Sequence, residues 1–146
     1  MNTGRLLFAL PLLAASAAPA GEFRSIAENA TPMYDAPSAK ANKLFVASRF
    51  YPVEVIVQVD AWTKVRDVAG DLAWVEKKTL SETRTALITA TLADVRQKAE
   101  DGAPLVFQAR KGVALEIVEL GAGPWVKVQH RDGQTGFVRT NQVWGL

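Results

Sequence analysis

Two short stretches of the sequence carry side chains suited to binding a ligand through an aromatic ring and a positive charge. Trp62 and Lys64 stand in "WTKV", and Trp125 and Lys127 stand in "WVKV", 63 residues later. A tryptophan ring can stack on a sugar or a peptide, and a neighbouring ammonium group can hold a carboxylate. The repeated pair therefore predicts a ligand-binding platform in each half of the chain.

The direction of these side chains follows from the alternation of a β-strand. Trp62 and Lys64 share one face of a strand, while Val65 points to the other. Because Val65 must extend the inward valine face of the preceding stretch, Trp62 is expected to lean towards solvent. The alternative is that each tryptophan is half-buried beneath the loop of residues 35–43 or 97–105 and serves only the fold.

Two further residues near those loops complete the predicted site. Tyr34 would add an aromatic ring to the groove of the first half, and Arg96 would add a basic group to the second, which would make the halves functionally unequal. A second aromatic residue follows each tryptophan 12 residues later, at Trp74 and Phe137. These two residues are predicted to lie in the core. The predicted ligand-binding residues are therefore Trp62, Lys64, Trp125, Lys127, Tyr34 and Arg96.

The residues that catalysis needs are missing or scattered. The chain has no cysteine, which excludes a thiolate nucleophile, a cysteine-rich zinc site and disulfides. His130, the one histidine, precedes a hairpin turn and is predicted to be a solvated side chain. Glu54 and Glu116 recur in different halves, and each is expected to pair with a lysine across the sheet. We therefore predict that the protein is not an enzyme and has no catalytic residues, metal or cofactor.

The elements that position these residues are repeated as well. A shift of 62 residues aligns Glu54 with Glu116, and a shift of 63 aligns "WTKV" with "WVKV". Self-similarity at this period indicates a duplicated domain of about sixty residues. We predict a first copy at residues 21–82 and a second copy at residues 83–146.

Each copy is predicted to consist of β-strands. The valines of "PVEVIVQVD", at positions 53, 55, 57 and 59, alternate with other residues, which is typical of a half-buried strand. Gly70 and Gly133 lie between apolar runs, as in hairpin turns. Residues 88–102 have a helix-like apolar spacing, but they align with "TPMYDAPS", whose two prolines forbid a continuous helix. The pattern therefore predicts an all-β fold, a small barrel or sandwich in each copy.

The first twenty residues have the features of an export signal. Arg5 is the only charge before "LLFALPLLAASAAPA", in which Ala18 and Ala20 are placed as in an A-x-A cleavage site. We predict a signal peptide of residues 1–20, cleaved after Ala20, and a periplasmic or secreted mature chain. The alternative is an uncleaved membrane anchor, although the apolar run is shorter than the ~20 residues that a span needs.

Taken together, these lines resemble the bacterial Src homology 3-like domains, in particular an exported subfamily that carries two copies. The resemblance rests on "PVEVIVQVDAWTKVRDVAGDLAWVEKKTLS" and "GFVRTNQVWGL", and it covers about residues 23–146. It implies a five-stranded β-barrel in each copy, 3₁₀ turns near residues 77–80 and 140–143, and a cell-wall or peptide-binding role.

The two copies depart from this pattern in different ways. The Asn-Val-Arg usual in the first strand survives as "DVR" in the second copy but has become "PMY" in the first. The glycine before the closing aromatic is kept as Gly136, whereas the first copy has Ala73 there. The second copy is thus the closer to the family pattern.

The sequence therefore predicts a non-catalytic exported binding module for peptidoglycan or another cell-wall component. The alternative is a periplasmic adaptor or structural protein that binds a protein partner. Seventeen basic and fifteen acidic residues give a net charge of +2 with the signs interspersed, so we expect no nucleic-acid partner. Stable membrane insertion of the mature chain is not expected either.

Overall fold

The computed structural model describes residues 15–18, 21–121 and 123–146. The secondary structure in these ranges consists of β-strands and two short 3₁₀ turns, Lys77–Thr79 and Thr140–Gln142. The all-β prediction is confirmed, and both turns lie where the resemblance implied. The predicted signal peptide lies outside the described residues except for residues 15–18, of which Ser16–Ala17 pair with residues 57 and 58.

The first copy forms one antiparallel sheet. Its hydrogen-bonded order is β4-β3-β7-β6-β5-β2-β8, and the short strand β1 pairs with β5 beside this path. The strands are β1 (Ser16–Ala17), β2 (Phe23–Ile26), β3 (Thr31–Tyr34), β4 (Lys43–Ala47), β5 (Pro52–Val59), β6 (Trp62–Arg66), β7 (Leu72–Glu76) and β8 (Leu80–Ser81).

The second copy repeats the seven-strand order β4-β3-β7-β6-β5-β2-β8 without an equivalent of β1 among the described residues. Its order is β11-β10-β14-β13-β12-β9-β15, which is the order of the first sheet moved along the chain. The strands are β9 (Thr85–Ile88), β10 (Leu92–Arg96), β11 (Leu105–Arg110), β12 (Ala114–Glu119), β13 (Trp125–Gln129), β14 (Thr135–Arg139) and β15 (Val143–Trp144).

The number of strands differs from the expected five. Apart from β1, which precedes residue 21, each copy has seven, because a break divides the first stretch into two strands and the chain adds a short strand after the 3₁₀ turn. Among the described residues, the end strands of each path do not pair with each other, so neither sheet closes into a complete barrel.

Each sheet encloses its own small core. The alternation predicted for β5 holds at Val53 and Val55, which are buried, but it ends where the ladder with β6 shifts register between Val55 and Val57. Beyond this bulge Val57 and Val59 are only half-buried. The first core consists of Ile26, Met33, Ala47, Val53, Val65, Ala73 and Val75, and the second of Ile88, Ala93, Val95, Ala109, Leu115, Val126, Val128 and Val138.

The hairpin turns, and the absence of a helix at residues 88–102, agree with the sequence predictions. Gly70 and Gly133 have φ of 89° and 93°, the left-handed conformation that hairpin turns of this kind require. Residues 88–102 form no helix, because Leu92–Arg96 is a strand, and of the helix-spaced residues Ile88, Leu92 and Val95, Leu92 is exposed. No helix within the described ranges is long and apolar enough to cross a membrane.

The two copies are docked through aromatic and polar contacts. The rings of Phe23 and Trp144 meet edge to face, with centroids 5.2 Å apart. The guanidinium carbon of Arg84 lies 5.4 Å from the Phe23 ring centre, and Arg84 Nη2 donates to the Gly145 carbonyl at 2.9 Å. Burial lowers the pKa of Arg84, and nearby Arg24 adds to the shift. These contacts tie the start of the first copy to the end of the second.

Candidate functional site

The outer face of β6 and β7 brings the predicted residues of the first copy together. Thr63 and Val65 are buried, and Trp62 and Lys64 alternate with them on the half-buried outer face. The same alternation in β7 places Trp74 outward. The prediction that Trp74 lies in the core is therefore wrong.

These outward side chains contact one another, and we call Trp62, Lys64 and Trp74, with Tyr34 behind them, the first aromatic face. Tyr34 and Trp62 pack edge to face with ring centroids 5.4 Å apart. Lys64 lies opposite Trp74 in the ladder, with its Nζ 6.0 Å from the ring centre. Tyr34 is only 5% exposed, so it supports the Trp62 ring and offers little surface of its own.

The second copy has an equivalent face on β13 and β14, where Val126, Val128 and Val138 are buried. Phe137 alternates with Val138 and is half-buried on the outer side, so its predicted place in the core is wrong as well. Lys127 Nζ lies 5.9 Å from the Phe137 ring centre. The second aromatic face consists of Trp125, Lys127, Phe137, Arg139 and, opposite Phe137 in the ladder, Arg96.

A loop partly covers the second aromatic face through one ion pair. Arg139 lies over the Trp125 ring at 4.8 Å and donates from Nε to Asp101 Oδ1 at 2.9 Å. The hydrogen bond from Arg139 holds the pKa of Asp101 below its usual value, and the same bond raises the pKa of Arg139. Because the Asp101 pKa is lowered in the folded chain, this contact is present at neutral pH and is lost only as the pH falls through the lowered value.

Arg96 is held in place rather than free to reach outward. Its guanidinium donates to the Ala103 carbonyl at 2.8 Å and to Asp94 Oδ2 at 3.1 Å. Tyr34 and Arg96 thus occupy equivalent positions and both anchor neighbouring structure. Trp62 and Trp125 are half-buried and keep part of their surface on the outer face, and whether they bind a ligand or serve only the fold stays a prediction.

The remaining titratable candidates lie elsewhere. His130 is half-buried rather than fully solvated, since it packs 5.7 Å from the Phe107 ring and its Nδ1 lies 3.2 Å from Asp132. Glu54 pairs with Arg66 at 3.2 Å, so the expected lysine partner is wrong. In the ladder Glu116 lies opposite Gln129, and no lysine pairs with it among the described residues. The described ranges contain no group of three His, Cys, Asp or Glu side chains placed to hold a metal.

Sequence reasoning missed a cleft of about 320 Å³ between the two copies. The first copy contributes two adjacent residues of its β4–β5 turn, and the second contributes residues of β12, β13 and the turn that follows. One feature of the sequence could have indicated this cleft. The repeat aligns Phe50 with Gly112, which places a bulky side chain where the other copy has a glycine. The lining residues of this interdomain cleft are Arg49, Phe50, Ala114, Glu116, Gln129, His130 and Arg131.

Comparison with known proteins finds two matches to one family along the chain. A family described as "Bacterial SH3 domain" matches twice, at residues 27–82 and 89–145. No curated protein matches the chain. Similar solved structures are NlpC2 and NlpC1 from Trichomonas vaginalis, at 11% and 14% identity and a TM-score of 0.39 each. An NlpC/P60 family protein from Bacillus cereus has 14% identity and a TM-score of 0.36.

These structures are longer proteins. The alignments cover 85%, 94% and 84% of this chain but only 47%, 51% and 56% of the three structures, in the same order. The chain therefore spans about half the length of the solved structures that it resembles.

Proposed function

The chain belongs to the bacterial SH3 domain family, and from this premise we propose that it is an exported, non-catalytic module that binds peptidoglycan or another cell-wall component. Domains of this family are binding modules. The proposal includes a leader of residues 1–20 and a mature chain on the outer side of the cytoplasmic membrane, for which the support is the A-x-A pattern at Ala18 and Ala20.

One observation carries the proposal. Both copies present a half-buried tryptophan and a lysine on the same outer sheet face. The strands that carry them, β6 (WTKVR) and β13 (WVKVQ), otherwise share only the buried valine. An amphipathic ring beside a cation suits a polymer that alternates sugar rings with peptides bearing carboxylates. The Trp62 ring packs against Tyr34, and the Trp125 ring packs against Arg139. These contacts restrict the orientation of each ring before a ligand binds.

A second candidate function, an adaptor for a protein partner, is favoured by the edge strand β4. Leu44, Phe45 and Val46 are 51%, 38% and 63% exposed, and β4 is the end strand of its sheet. An exposed apolar edge strand can accept a strand from another protein. The equivalent strand β11 carries Gln108 in the place of Val46, and of its apolar residues only Leu105 is exposed, so the exposed apolar edge is longer in the first copy.

Alanine variants of the two tryptophans separate these functions. We expect Trp62→Ala and Trp125→Ala each to weaken binding to purified sacculi by roughly tenfold or more, as for an aromatic hot spot. Each should cost less than the ~3–5 kcal/mol of a fully buried aromatic, because the rings are only half-buried. Co-sedimentation with sacculi measures the binding, and urea unfolding measures the stability.

The controls are Val65→Ala and Val128→Ala on the buried face of the same strands. They should lower stability while the folded fraction still binds sacculi as the parent does. Undiminished sacculus binding by the double tryptophan variant would rule out the aromatic faces as the binding surface. Failure of the parent chain to co-sediment with purified sacculi, with both tryptophans intact, would favour the adaptor function.

A further inference from the structure

Phe50 holds a backbone conformation that its side chain disfavours. Its φ is 72°, and Gly112, at the equivalent place in the second copy, has φ of 89°. This left-handed region suits glycine, and an aromatic residue persists there only when the surroundings fix it. Here the Phe50 amide donates to the Ile26 carbonyl at 2.8 Å, and its carbonyl accepts from the Thr85 hydroxyl at 2.6 Å.

The Phe50 ring is flanked by two cations, one from each copy. The guanidinium carbon of Arg49 lies 4.6 Å from the ring centre, and that of Arg131 lies 5.1 Å from it. Neither arginine has an ion-pair partner among the residues that the structure describes. Two unpaired like charges beside one ring favour an anion between or beside them.

Both arginines border the interdomain cleft, together with Glu116 and Gln129. The cleft continues past Arg49 and Arg131 into a depression of about 440 Å³ that includes Ser48 and Tyr51. The cleft offers groups for three kinds of contact. The two guanidinium groups can bind a carboxylate, the aromatic ring can pack against an aliphatic side chain, and the polar side chains can hydrogen-bond to amides. Ligand sites form preferentially at such domain boundaries.

We propose that the interdomain cleft binds the end of a short peptide through its terminal carboxylate. Arg49 and Arg131 hold the carboxylate, the Phe50 ring packs against the last side chain, and Glu116 and Gln129 contact the backbone amides. The choice of a cell-wall peptide as the ligand rests on the proposed function, whereas the preference for a carboxylate rests on the cleft alone. The Phe50 backbone strain is retained because glycine there would leave the ligand without this ring.

Isothermal titration of the purified protein with N-acetyl-D-alanyl-D-alanine, and with its C-terminal amide, tests the proposal. We expect the free acid to bind roughly tenfold more tightly than the amide, and Arg49→Gln or Arg131→Gln to remove that preference. Phe50→Gly should weaken binding to a similar degree while the Tm stays unchanged or rises, because the glycine relieves the backbone. Lys111→Gln, at the place of Arg49 in the second copy, is the matched control and should bind as the parent does.

Equal affinity for acid and amide would overturn the proposal, and so would a Phe50→Gly variant with undiminished affinity. A loss in Lys111→Gln as large as that in Arg49→Gln would overturn it too, by showing a general charge effect. Sacculus co-sedimentation of the same variants keeps the two proposals apart. If the parent sediments with sacculi but does not distinguish acid from amide, only the cleft proposal falls. If the acid is preferred but sacculi are not bound, only the cell-wall function falls.

Discussion

Residues 21–82 produced alone should lose the cooperative unfolding of the intact chain. A domain of sixty residues buries only ~60% of the surface that its unfolded chain exposes, which leaves it marginal. The isolated first copy would also lose the Trp144 ring from Phe23 and the Thr85 hydrogen bond to Phe50. Thermal unfolding followed by circular dichroism should therefore show a broad transition at a much lower temperature, or no transition.

The intact chain is the reference for this experiment and is expected to unfold in a single transition. The short link between the copies and the Arg84 contacts to Phe23 and Gly145 couple the two small cores. Melting of residues 21–82 at the temperature of the intact chain would mean that the copies are independent domains. The docked arrangement, and with it the interdomain cleft, would then be untenable.

Gly136→Ala should destabilise the second copy by roughly 1–3 kcal/mol or more, the cost of overpacking a core. A Cβ at this position would lie 2.6 Å from Val95 Cγ1 and 2.7 Å from the Arg96 carbonyl oxygen. The carbonyl belongs to β10, so relief requires β10 and β14 to separate where Arg96 pairs with Phe137. Urea unfolding measures the loss, and the same shift should disturb the second aromatic face.

The matched control comes from the first copy, which has Ala73 at this position with only 3% exposure. Ala73→Gly should cost about 0.5–1 kcal/mol, mainly through backbone entropy. A Gly136→Ala variant as stable as the parent would show that the two copies tolerate the same side chain and that β10 is not held closely against β14.

The period of two and the internal repeat predicted most of the aromatic faces. Matching "WTKV" with "WVKV" placed Trp62 and Trp125 on equivalent outward faces, because Val65 and Val128 had to point inward. The same alternation, applied to β7 and β14, would have placed Trp74 and Phe137 outward with them. Their assignment to the core failed because it relied on hydrophobicity, whereas the inward positions are filled by smaller residues, Ala73, Val75, Gly136 and Val138.

Features that depend on docking could not be read from the strand pattern. The interdomain cleft joins Phe50 to Arg131, and their contact depends on how the two sheets pack. The bulge after Val55 likewise depends on the partner strand, since the valine pattern of the sequence continues unbroken to Val59. The repeat does single out Phe50, because it aligns a bulky residue with a turn glycine. A phenylalanine at such a position indicates that its side chain has a role, since its backbone conformation favours glycine.

Ligand binding at the two outer aromatic faces should be visible at the tryptophans that form them. The chain has four tryptophans, whose indole N–H resonances can be assigned by single Trp→Phe changes and followed by NMR while solubilised peptidoglycan fragments are added. Binding at these faces predicts shifts at Trp62, Trp74 and Trp125, and none at Trp144, which packs against Phe23 between the copies. Unchanged resonances for Trp62 and Trp125 at saturating ligand, or a shift confined to Trp144, would contradict it.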